Sequence, residues 1–174
     1  CGILVTHEHN DHIHGLGVLS RRFDLPIYAN EKTWAAMVDD LGKIAPKNIR
    51  TFEFEKTFAI EDLEIAAFKT SHDAADSAGF LINNGKKSLG IATDSGIITP
   101  EMLKTLGGCD LAVVESNHDV SMLEAGSYPF YLKQRIKSDF GHLSNEIAGG
   151  LALSLVEKGA RHLVLAHLSG ENNY

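Results

Sequence analysis

The chain has 174 residues, a formal net charge of −7 and a pI near 5.7, long enough to bury a substantial core as one domain over residues 1–174. No apolar run reaches membrane-spanning length and no charged-apolar-small leader opens the chain, so the expectation is a soluble, cytoplasmic protein with no membrane partner. The only cysteines, Cys1 and Cys109, form no CxxC pair, which argues against a disulfide framework or sulfur-ligated zinc, and the acidic balance argues against a broad basic surface for nucleic acid.

Residues 2–6 read as a buried strand that runs straight into Thr6-His7-Glu8-His9-Asn10-Asp11-His12. In an extended loop, side chains two apart point the same way, so His7 and His9 can close on one ion while Asp11 and His12 turn towards a second. A lone HxH would read equally as a solvated turn, but the whole HxHxDH pattern behind a buried strand is the arrangement a hydrolytic metal site needs. A helix is predicted from His12 towards Arg21-Arg22, a short strand over Pro26–Ala29, and a helix over Glu31–Leu41 with Asn30 as N-cap and Gly42 at its end. Strands follow at 49–54, 58–60 and 63–70, then at 78–82 and 88–93 around Asn83-Asn84-Gly85-Lys86, whose Asn-Gly pair is a strong hairpin signal. Thr99-Pro100 opens a short helix closed by Gly107-Gly108, and residues 110–115 form another strand. Helices at 128–137 and 144–158 and a last strand at 162–168 complete the chain; Trp34, Phe52 and Phe54 read as core, and His14 and His162 as ordinary helix and strand-edge residues.

The motif at residues 6–12 resembles the signature of the metallo-β-lactamase-fold hydrolase superfamily. That resemblance implies an α/β (α+β) αββα sandwich with a two-metal site at one edge of its sheets. Because the chain opens inside a strand, the expected sandwich lacks its N-terminal strands here, and the domain is N-terminally incomplete unless another chain covers the edge. The resemblance also implies the remaining ligands, in order: His72 after a strand, Asp94 as a bridge, and His167 at the end of the last strand. Taken without it, His72 is a polar strand tip and Asp94 reads equally as a turn aspartate before Ser95-Gly96. With it, His7, His9, His72 and Asp94 take one divalent ion, and Asp11, His12, Asp94 and His167 the other, zinc or manganese with iron as a further option. An aspartate rather than a cysteine at the bridge resembles the phosphodiesterase side of the superfamily, in which Asp11 would orient or deprotonate the attacking water.

Gly141-His142-Leu143-Ser144-Asn145-Glu146 places a histidine before a helix N-terminus, where backbone N–H groups favour phosphate. It resembles the His-Ser/Thr motif of ribonuclease Z-like phosphodiesterases, which implies that His142 stabilises the phosphate and protonates the leaving oxygen; the plainer reading is a turn histidine with Ser144 as cap. The cluster Glu115-Ser116-Asn117-His118-Asp119 reads as support for the site or substrate contact, and equally as a polar loop. Taken with residues 128–135, 141–146 and 166–173, it resembles the WalJ/YycJ-like bacterial branch, which implies a metal-dependent 5′-to-3′ exonuclease acting on DNA. Candidate substrate contacts are Asn117, His118, Lys133 and Ser144, with Lys133, Arg135 and Lys137 as local positive charge or simply a solvated helix face. The alternatives are an RNA or small-molecule cyclic phosphodiesterase, a glyoxalase-type thioester hydrolase, and a non-catalytic scaffold with a vestigial site.

Overall fold

A computed structural model describes residues 1–174. Two sheets face one another. The smaller holds β1 (Ile3–Leu4), β2 (Ile27–Ala29) and β3 (Ile49–Thr51), all parallel in that order. The larger runs β4 (Thr57–Ile60), β5 (Leu63–Lys69), β6 (Ala78–Asn83), β7 (Ser88–Ala92), β8 (Leu111–Glu115) and β9 (His162–Ala166), antiparallel up to β7 and parallel from β7 to β9.

Strand alternation sorts the apolar side chains into three layers. Leu4 and Tyr28 point inwards, joining Phe52, Ile65, Ala67, Ala78 and Phe80 between the sheets. Ile3, Val5, Ile27 and Ala29 point the other way, under α1 (Asn10–Ile13), α2 (Leu16–Phe23) and α3 (Glu31–Met37). On the far face of the larger sheet, Phe68, Ala92, Ala112 and Val114 meet α4 (Pro100–Leu106) and α7 (Asn145–Glu157) through Met102, Leu106, Leu151 and Leu155. This is the expected αββα sandwich.

Most element signals act as read. The Asn30 side chain accepts from Thr33 N at 2.9 Å and Thr99 caps α4 through Met102 N at 3.0 Å. In the β6–β7 loop Asn84 Oδ1 accepts from Lys86 N and Lys87 N, with Gly85 at φ 79°. Three expectations are corrected. The helix predicted from His12 to Arg22 breaks at His14-Gly15 into α1 and α2. The helix from Glu31 stops at Met37, and the strand from Ile49 at Thr51. A further helix, α5 (Val120–Ala125), is capped by Asp119, whose side chain accepts from Met122 N at 2.8 Å. The sequence places Asp119 in a polar cluster, as site support, substrate contact or loop, without a helix after it; α6 (Phe130–Ile136) follows α5.

Parallel direction puts the C-terminal ends of β7, β8 and β9 side by side, and β5, two antiparallel steps from β7, ends at the same edge. The loop after β1 reaches this edge as well, where Thr6 O accepts from Ala78 N at 2.9 Å. Side chains just past the strand ends therefore converge without help from long loops.

Candidate metal centre

Five segments contribute. His7, His9, Asp11 and His12 come from the loop after β1, His72 follows β5, Asp94 follows β7, Glu115 ends β8, and His167 follows β9. Donor atoms of His7, His9 and His72 lie within 4.8 Å of one another; so do those of His7, His12 and Asp94, and those of Asp11, His12 and His167.

The second nitrogen of each ring explains which first nitrogen is free. Thr6 Oγ1 has two lone pairs and lies 3.0 Å from His7 Nδ1 and 3.4 Å from His12 Nδ1, so both rings turn Nε2 inwards. His72 Nδ1 donates to Gly141 O at 3.1 Å, and His9 Nε2 donates to Asp73 O at 3.2 Å. That leaves His9 Nδ1 facing His72 Nε2 at 3.2 Å, with two lone pairs converging on one point. His7 is fully buried, and burial followed by its imidazole neighbours His12 and His72 drives its pKa down to about 2, so the ring is neutral, as a ligand must be.

Asp94 stands between the two groups. Its Oδ1 is 3.3 Å from His167 Nε2 and 3.8 Å from His72 Nε2, and its Oδ2 is 3.5 Å from His12 Nε2. Two polar atoms here, His7 Nε2 and Asp94 Oδ2, are buried without any hydrogen-bond partner. Orphaned lone pairs at the centre of a His/Asp cluster cost several kcal/mol unless something cationic sits there, so the donor set fits divalent metal ions. Asp94 (φ 58°) and His167 (φ 53°) both hold left-handed backbone, a cost of about 1–3 kcal/mol each that aims the two side chains at the same point.

Glu115 organises the other side of the centre. It is wholly buried and accepts four hydrogen bonds: His142 Nδ1 at 2.7 Å and His167 Nδ1 at 2.9 Å on Oε1, Ser95 N at 3.1 Å and Leu143 N at 3.2 Å on Oε2. Burial pushes its carboxyl up, but the His142 and His167 hydrogen bonds outweigh it and hold the pKa at about 2. In return Glu115 holds the His167 pKa above its ordinary value and fixes that ring with Nε2 towards Asp94. Although Glu115 also lies within ligand distance of Asp94, His142 and His167, its oxygens are already filled, so it positions rather than ligates. The sequence signal for it was available: a carboxylate ending a strand between the strands that end in Asp94 and His167.

His142 is brought to the centre, its ring 5.0 Å from His72 and 5.2 Å from His167. Gly141 makes this possible, since a Cβ there would fall 2.1 Å from Ile136 O. Asp11 is exposed, with Oδ2 3.5 Å from His12 Nε2 and 4.0 Å from His167 Nε2. A cleft of about 340 Å³ opens beside them, lined by Asn117, Tyr128, Arg135, His142, His167 and Ser169 among others.

Three expected substrate contacts point elsewhere. His118 is buried, Ser144 is buried as the α7 cap, and Lys133 Nζ donates to Glu124 O and Gly126 O at 2.7 Å each. Lys137 pairs with Glu124, so these helix lysines brace α5 against α6 instead of facing the cleft. Asn117 does line the cleft, where its Nδ2 donates to His167 O at 2.9 Å and so holds the ligand loop.

Comparison with known proteins gives a consistent set. The family model of the beta-lactamase superfamily domain matches residues 1–168. Exodeoxyribonuclease YycJ of Bacillus anthracis is 45% identical over 172 residues, 99% of this chain and 65% of that protein. Exodeoxyribonuclease WalJ of Streptococcus pneumoniae is 43% identical over 173 residues, 98% of this chain and 64% of that one. The chain thus spans just under two thirds of the length of these curated relatives. Among solved structures, the metallo-beta-lactamase fold protein YhfI from Bacillus subtilis superposes with a TM-score of 0.72 at 22% identity, covering 97% of this chain and 65% of its own. Human tRNase Z, short form, superposes with a TM-score of 0.67 at 21% identity, covering 97% and 72%.

Proposed function

The chain belongs to the beta-lactamase superfamily, with the metallo-β-lactamase fold, and from that premise we propose that it is the catalytic part of a metal-dependent exonuclease that hydrolyses DNA from the 5′ end. The observation that carries the substrate is the 45% identity, over 99% of the chain, to a protein named as an exodeoxyribonuclease.

On this reading His7, His9, His72 and Asp94 hold one divalent ion, and Asp11, His12, Asp94 and His167 the second. Zinc or manganese, or iron, bound there supplies Lewis acidity and a water of lowered pKa. The orphaned His7 Nε2 and Asp94 Oδ2 are the strongest support for this assignment.

The protein's own groups do the rest. Asp11, the exposed carboxylate at the mouth, orients the attacking water and takes its proton on the oxygen turned away from His12 and His167. His142 is anchored through Nδ1 on Glu115, which leaves Nε2 to hold a phosphate oxygen and then protonate the departing 3′ oxygen. Glu115 contributes as the aspartate of a catalytic triad does, by fixing tautomer and ring direction.

The test is digestion of a 5′-phosphorylated, 3′-end-labelled duplex by the full-length protein, with bound metal measured on the same sample. Stepwise shortening from the 5′ end is the expected result. A preparation that holds metal and leaves the duplex intact overturns the substrate reading.

A further inference from the structure

Arg135 is the one lysine or arginine among the residues lining the cleft beside His142. Its neighbours on α6 are already engaged, Lys133 with backbone carbonyls and Lys137 with Glu124. Arg135 instead reaches across to Asp73, giving Nε–H to Oδ2 and an Nη2–H to Oδ1 at 3.1 Å. Asp73 follows His72 directly, with Oδ1 3.5 Å from His72 Nε2. The pair also holds the guanidinium pKa above its ordinary value.

This side-on pairing has two consequences. It freezes an otherwise flexible side chain close to the metal-binding edge, so little rotamer entropy is left to lose when a ligand arrives. It also leaves both Nη1 hydrogens and the second Nη2 hydrogen unused, and Arg135 remains half exposed, at 53%. A planar fork with free donors beside a site that takes one phosphate is suited to a second anionic oxygen pair.

We propose that Arg135, braced by Asp73, is a specificity-determining residue that grips the phosphate neighbouring the scissile one. It would thereby select a nucleic-acid strand over an isolated phosphodiester. The proposal rests on the nuclease reading above and deepens it. A salt bridge that merely ties α6 to the loop after β5 would make no such distinction.

The test is a double-mutant cycle between protein and substrate. Single-stranded 5′-phosphorylated oligonucleotides lose one phosphate charge next to the first scissile linkage, by an uncharged methylphosphonate at the linkage on its 3′ side or by omission of the 5′-terminal phosphate, in separate substrates. The metal-loaded full-length protein and its Arg135→Gln variant are compared on these and on the all-phosphate strand. Loss of one charge-assisted contact should lower kcat/KM about 10- to 100-fold for Arg135→Gln on the all-phosphate strand. One of these two changes should cost the native protein a similar factor and cost Arg135→Gln almost nothing further. Binding of a labelled strand to the metal-free protein supplies an independent readout: the slope of log K against log salt should fall by about 0.7 in the variant. Penalties that multiply at both positions, or an unchanged salt slope, overturn the clamp while the nuclease reading stands. A metal-replete native protein that cleaves no strand overturns both.

Discussion

Replacing Glu115 by glutamine removes one charge and almost no volume, yet it should be among the most damaging single changes in the molecule. The carboxylate accepts four donors, two on each oxygen. A carboxamide keeps one oxygen and turns an NH2 towards the other two donors. Each hydrogen bond to a charged group is worth about 1.5–3 kcal/mol, so the loss is about 3–6 kcal/mol, a large share of the ~5–15 kcal/mol that holds a domain folded. The acid titration offers an independent route to the same quantity. With its pKa held at about 2 against an ordinary 4.5, the carboxyl contributes stability that is complete above pH 4.5 and lost as pH falls towards 2; the shift corresponds to about 3 kcal/mol. Urea denaturation of the metal-free protein should therefore show an acid limb of this size in the native protein, and a lower, flatter one in Glu115→Gln. A variant within about 1 kcal/mol of native, or a native protein with no acid limb between pH 4.5 and 2, would refute the reasoning.

Other substitutions separate the remaining roles. Asp94→Asn should lose at least one metal ion per chain by elemental analysis; an unchanged stoichiometry would count against its bridging position. His142→Ala should keep its metal and lose about 10²- to 10⁴-fold in kcat, so full turnover in that variant removes it from the chemistry. Gly96→Ala would place a Cβ 2.3 Å from Ser138 O and from the Asp139 carbonyl carbon. Because backbone cannot yield as a side chain can, the expected cost is about 1–3 kcal/mol, read as a lower Tm.

What the sequence made legible was whatever acts locally. The Asn30, Thr99 and Ser144 caps and the Asn84-Gly85 turn each work through residues a few positions apart, and the structure holds each at the position the sequence indicates. The fold followed because a recognisable series of strand ends, His72, Asp94 and His167, implies sheets that bring those ends together. What local pattern leaves open has a different character. The sequence marks Glu115 only within a polar cluster that supports the site, contacts substrate or forms a loop; its position under the rings comes from His142 and His167, 27 and 52 residues further on. Lys133 and Lys137 looked available because a helix face predicts exposure and says nothing of Glu124 and Gly126, which α5 brings underneath. His118 belongs to a polar cluster that looks solvated, but a bridge to Ser144 draws it inside.

The parallel run of β7, β8 and β9 raises a problem of spelling. Leu89-Gly90-Ile91-Ala92, Leu111-Ala112-Val113-Val114 and Leu163-Val164-Leu165-Ala166 are apolar at almost every step, so sliding one strand by a residue would trade one aliphatic neighbour for another. Hydrophobic patterning, which usually punishes such a slip, has little to say here. The difference lies at the strand ends. Only in the observed register do Ser95 N, His142 and His167 meet Glu115, and only there do Asp94 and His167 occupy the left-handed turns that aim them inwards. The polar edge proofreads the apolar ladder behind it, so residues kept for chemistry also decide which of several near-equivalent sheets the chain accepts.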